Sequence, residues 1–210
     1  MHMPALIVVV ALVFGAQHAA LAVDQPSDTA VIAWTKANYA AIADRVLGDP
    51  RDADTGPTSE SVWVLVARIR PPYDAPEAQL VLSETQNGHV VLRYSVAIDG
   101  SIYQQVLALH ASHLAWDVAE ISRHVHVKQR QVNAVKNQAR LRDAIQQFSK
   151  IRITLRLPNI LVSDPTVYHL WTFSGSQWAE LNLVAGPMSS QAVVRWIETL
   201  RRDLDRLAQR

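Results

Sequence analysis

The dipeptide Asn87-Gly88, set between residues 79–85 and 89–98, constrains the fold more than any other feature of the chain. The flanking runs are rich in Val and Leu, and both residues of the pair tolerate positive φ, so the stretch reads as a β-hairpin. Residues 167–173 and 177–184, around Ser174-Gly175-Ser176, predict a second hairpin. Hairpins pair antiparallel neighbours, and helical patterns lie between and after them rather than between every pair of strands. The predicted class is therefore α+β, an antiparallel sheet covered by helices, and not a doubly wound parallel sheet.

The remaining elements follow from period and punctuation. Residues 28–47 read as a helix with Ile32, Tyr39, Ile42 and Val46 on one stripe, started by Asp28 and stopped by Gly48. Residues 62–70 read as a strand ended by Pro71-Pro72. Ser101 caps a helix that places Ile102, Val106, Leu109 and His110 on one face. Asp117 and Glu120 resemble a capping box for a short helix over 117–123. Residues 124–132 read as a strand with Val125 and Val127 inward and His124, His126 and Lys128 outward. A basic helix over 134–149 carries Val135, Ala139, Leu141, Ile145 and Phe148 as its apolar members. Residues 151–157 alternate as a strand stopped by Pro158.

The helix over 189–208 has the plainest seam: Val193, Ile197, Leu200, Leu204 and Leu207 step by four and three, with Trp196 widening the stripe. The order strand, proline, loop, hairpin, helix occurs in 62–111 and again in 151–208, which predicts an internal pseudo-repeat.

Residues 1–22 read as a cleavable signal peptide. Ala5 to Phe14 is uninterruptedly apolar, but ten helical residues rise only about 15 Å, half of a bilayer core. Ala20 and Ala22 suit a signal peptidase, which puts the cut before Val23, with a rival cut after Ala20. No Lys or Arg precedes the run, a departure from the usual pattern. The expectation is a single domain over 23–210, exported to the periplasm or secreted, and not membrane-spanning.

The chain has no Cys, which excludes thiol catalysis and thiolate metal sites. It also lacks a Gly-rich phosphate loop, a Gly-x-Ser-x-Gly elbow and a His-Glu-x-x-His pair. No catalytic residue can be assigned.

Charge is uneven. Residues 24–60 carry seven acids against three bases, and residues 121–156 carry nine bases against Asp143 alone. The basic block, with Arg130, Lys136 and Arg140 as candidate contacts, fits either an anionic envelope component or a solvated surface. Nucleic acid is not expected, because Phe148 is the block's sole aromatic. Tyr168 and Trp178 on the second hairpin are candidates for stacking a ligand. Arg68 and Arg70, on one face of the first strand, fit a carboxylate site or a wet face.

Two histidine pairs, His110 with His113 and His124 with His126, have spacings that share a helix face or a strand face and would suit a metal ion. The favoured function is a non-enzymatic binding or interaction module, with no cofactor expected. A protein partner in place of the anionic one, an envelope hydrolase with a dispersed active site and a histidine metal-binding protein are the alternatives.

Overall fold

The computed structural model describes residues 27–50, 61–72, 75–112, 116–132, 137–152, 165–174, 177–185 and 191–207. Helix α1 spans Asp28–Leu47. Strands β1 (Ser61–Arg70), β2 (Ala78–Thr85) and β3 (Val90–Ala97) follow, then helices α2 (Ile102–Ala111) and α3 (Val118–His124). Strand β4 (Val127–Val132), helix α4 (Gln138–Ser149), the hairpin β5 (Thr166–Ser174) and β6 (Gln177–Ala185), and helix α5 (Ala192–Leu207) complete the order. The six strands form one sheet in the order β4-β3-β2-β1-β5-β6, with every neighbour antiparallel. The α+β class read from the hairpins is the class observed. Among the described residues no helix is long and apolar enough to cross a membrane. The proposed signal peptide lies outside the described residues, as does most of the expected strand over 151–157.

The sheet has two faces because its side chains alternate. One face buries Leu65, Leu80, Leu82, Leu92 and Leu170 against α4 and α5. The α5 seam does this work as its spacing predicts: Val193, Ile197, Leu200 and Leu204 are buried, and Trp196 joins them while its indole donates to the Ala144 carbonyl at 3.1 Å. In α4, Leu141 is buried and Ala144 packs inward, whereas Ala139 is exposed. That helix begins at Gln138, whose amide clamps both backbone groups of Val90 at 3.0 and 3.2 Å.

A second core lies where α1, α2 and α3 meet, built from Ile42, Leu47, Ile102, Val106, Ile121 and Val125. The opposite sheet face holds a smaller cluster of Val64, Val66, Val81 and Trp171.

Several local expectations shift. Ser27, not Asp28, caps α1 by accepting from the Ala30 amide at 3.3 Å, and Ile32 is exposed. His124 ends α3 rather than opening a strand, because the chain stays helical until Val125 and β4 starts at Val127. The Asn87-Gly88 hairpin has a three-residue loop: the Gly88 amide bonds Thr85 at 2.8 Å, and Gly88 alone takes a positive φ, 71°. Of the two helices that end the expected repeats, α2 joins the second core and α5 the first.

Candidate functional site

The C-terminal half of α1 lies along the sheet face opposite α4 and α5, and one guanidinium fixes it there. Gly48, at φ 104°, ends the helix in a conformation that favours glycine and turns its carbonyl toward the sheet. Arg68 of β1 donates to that carbonyl at 2.8 Å, to the Asp44 carboxylate, and through two nitrogens to the Gln79 amide oxygen at 3.0 and 2.8 Å. The Gln79 amide nitrogen donates back to Leu47 and Gly48 at 3.1 and 2.9 Å. Gln79 is thus a buried polar residue with its bonds made, and Arg68 is not a wet-face residue.

Between α1 and the strands β1 and β5 runs a groove of about 340 Å³, lined by Tyr39, Asp44, Arg70, His169 and Trp171 among others. Register explains the set. Arg68 pairs with His169 and Val66 with Trp171 across β1 and β5, and directly opposed residues share a face. His169 and Trp171 stack at 5.8 Å. The Arg70 guanidinium sits over the Tyr39 ring, 4.3 Å from its centroid, a cation–π contact that leaves the N–H edges without an acceptor among the described residues.

Tyr39 is itself anchored. Its hydroxyl donates to Glu77 at 2.7 Å, and the other Glu77 oxygen accepts from the Ile102 amide at the start of α2, also at 2.7 Å. Burial, and then that carboxylate, push the Tyr39 phenol well above its ordinary range. Burial, and then the Arg68 charge, hold His169 below the usual imidazole value, which favours a neutral ring. The Trp171 indole nitrogen is buried with no acceptor among the described residues. Among the described residues the lining offers flat surfaces, the two guanidinium groups of Arg68 and Arg70 and the carboxylates of Asp44 and Asp49, and contains no Ser, Thr or Cys.

Of the residues singled out from sequence, Arg68 and Arg70 lie at this groove, and the other described ones fall elsewhere. Tyr168 is buried on the α5 side of the sheet and donates to Glu198 at 3.0 Å. The position of Trp178 is opposite Phe173, an odd number of residues from Tyr168 along β5, which puts the two positions on different faces of the sheet. Arg140 pairs with Asp203 at 2.6 Å. Arg130 stands opposite Tyr94 on the edge strand β4, and Lys136 lies outside the described residues.

Nor do the described histidines converge. His110 is buried in the α1–α2 region, with Trp34 and Trp116 rings at 4.6 and 4.8 Å. His124 meets Glu120 at 3.2 Å and His126 meets Asp99 at 2.8 Å, each on its own acid. His113 lies outside the described residues. Among the described residues no group of three or more metal-binding side chains is found.

Sequence reading missed the groove because its parts come from three distant segments. The parity shared by Arg68 with Arg70, and by His169 with Trp171, was visible. That β1 and β5 are neighbours was not. Compared with known proteins, the chain matches no family model, no curated protein and no solved structure.

Proposed function

We propose that this chain is an exported, non-enzymatic binding module whose α1–β5 groove takes an anionic ligand with a planar apolar body, such as an aromatic carboxylate. The buried, acceptor-less indole N–H of Trp171 carries the reading. A buried donor without an acceptor costs about 1–3 kcal/mol, which a ligand oxygen would recover when a small turn of the ring brings the N–H edge to the groove. Arg70 supplies a cation beside it, because Arg68 is already matched to Asp44. Tyr39, His169 and Trp171 supply flat walls, and the volume falls within the range of small-molecule sites.

The test is a titration with benzoate, followed through the tryptophan side-chain signals in a proton–nitrogen correlation spectrum, with Trp171 assigned by Trp171→Phe. Saturable movement of the Trp171 signal at roughly millimolar benzoate, weakened about tenfold by Arg70→Ala, is the expected result. An unmoved Trp171 signal would sink the proposal.

Export rests on the apolar run and on Ala20 and Ala22. Protein recovered from outside the cytoplasm is expected to have an intact mass beginning at Val23. A mass that retains residues 1–22 would remove export from the reading.

A further inference from the structure

A second groove, of about 510 Å³, lies on the other side of the same strand pair, between α5 and the ends of β1 and β5. Its lining includes Thr166, Tyr168, Arg195, Glu198, Arg201 and Arg202. Among the described residues three arginines share the lining with one carboxylate, a charge of +2, and the carboxylate is held apart from two of them. One Glu198 oxygen accepts from the buried Tyr168 hydroxyl at 3.0 Å, and the other meets Arg201 at 3.5 Å.

Among the described residues Arg202 donates only to neutral acceptors, the Glu198 carbonyl and the Thr199 hydroxyl, each at 3.3 Å. Arg195 is exposed and its guanidinium has no partner among the described residues. The two lie seven residues apart, two helical turns on one face, about 10 Å along the axis. Thr199 stands between them: its hydroxyl accepts from Arg202 and donates to the Arg195 carbonyl at 2.8 Å.

We propose that this groove is a phosphate site, occupied by a phosphate group that Arg195 and Arg202 grip from either side above Thr199. Near neutral pH a phosphate group carries one negative charge as a diester and close to two as a monoester, with several acceptor oxygens, against a charge of +2 on the described lining, and guanidinium forks suit its geometry. Tyr168 is the positioning residue: its phenol turns Glu198 toward the sheet. Burial, and then Glu198, raise that phenol well above its ordinary range, so it stays a donor throughout the physiological range.

The experiment uses the full chain with two probes, inorganic phosphate by calorimetry and vesicles of phosphatidylglycerol against phosphatidylcholine by co-sedimentation. Expected is binding of at least one phosphate-bearing probe. It should weaken about tenfold in the Arg195→Ala, Arg202→Ala double variant, and with added salt, but not in Arg123→Ala. Binding of free phosphate marks a soluble ligand, and binding confined to phosphatidylglycerol vesicles marks a lipid headgroup; both support the site. In Tyr168→Phe, with its thermal melt recorded, phosphate binding should weaken although every arginine remains. Failure of both probes overturns the proposal, as does equal binding by the double variant. Loss in Arg70→Ala instead would place the anion in the α1 groove, and the benzoate result there is independent of this one.

Discussion

Exchanging Arg68 for methionine is expected to lower the unfolding free energy by about 2–4 kcal/mol. The side chain is 14 % exposed, and its fork ties together three segments: Asp44 in α1, Gly48 at the helix end and Gln79 in β2. Methionine fills much of the same space, so the loss comes from polar groups left unmatched rather than from a cavity. The Gln79 oxygen, in a residue that is 1 % exposed, would lose both donors, and Asp44 would lose its cation. Asp44 is 39 % exposed and water compensates part of that charge, which keeps the estimate below the value for a fully buried pair.

Urea denaturation at neutral pH reads the effect as a lower midpoint with an unchanged slope. Arg68→Lys should recover less than half, because a point charge cannot serve Asp44, Gly48 and Gln79 together. Since α1 forms one wall of the groove, benzoate binding should weaken in Arg68→Met although four of the five Arg68 N–H donors are already used within the protein. A stability loss below about 0.5 kcal/mol, the size usual for a surface change, would mean that α1 is held by apolar packing alone.

What was legible in the sequence divides along contact range. Local signals translated directly. Ser101 accepts from the Gln104 amide at 3.1 Å and Asp117 from the Glu120 amide at 2.8 Å, as caps should. The Glu120 side chain, however, turns to Arg123 and His124 instead of closing the box. Both predicted hairpins pair their flanking strands antiparallel, and the described part of the α5 seam is buried as spaced.

Non-local pairing was not legible. β1 pairs with β5 about 100 residues further on, a choice set by the whole sheet rather than by either strand. Gln79 and Ser83 in β2 resemble an outward face, yet both are buried on the side that faces α1. Glu77 precedes a strand without any motif, yet it is buried and links Tyr39 to α2. Gln79 and Glu77 are inside because partners from distant segments meet them there, and pattern reading sees one segment at a time. Both grooves inherit that blindness: each is bounded by β1, by β5 and by a helix from one end of the chain.

His110 gives the second large effect, and its sign depends on pH. The residue is 3 % exposed, neither ring nitrogen has a partner among the described residues, and Trp34 and Trp116 pack against it. Burial lowers its pKa from the ordinary 6.5. Above 6.5 the ring is neutral in both folded and unfolded chains, and the folded state carries only the cost of two unmatched polar atoms. Below 6.5 the unfolded chain takes up a proton that the folded chain refuses, so stability falls as pH falls. The slope approaches roughly 1.4 kcal/mol per pH unit until the folded-state value is reached. His169 shifts the same way, so a wild-type profile sums the two.

His110→Phe separates them. At pH 7.5 it should raise stability by about 1 kcal/mol, because an aromatic ring without polar atoms occupies the same space between the tryptophans. Between pH 6.5 and 5 the gain should widen, because the variant loses the His110 contribution while that of His169 remains. Urea midpoints across that range measure both quantities. A gain that stays constant with pH would show that His110 titrates as it does in the unfolded chain, and hence that its nitrogens reach water. A variant less stable than wild type at pH 7.5 would show that the imidazole nitrogens are matched in solution by groups that a phenyl ring cannot replace.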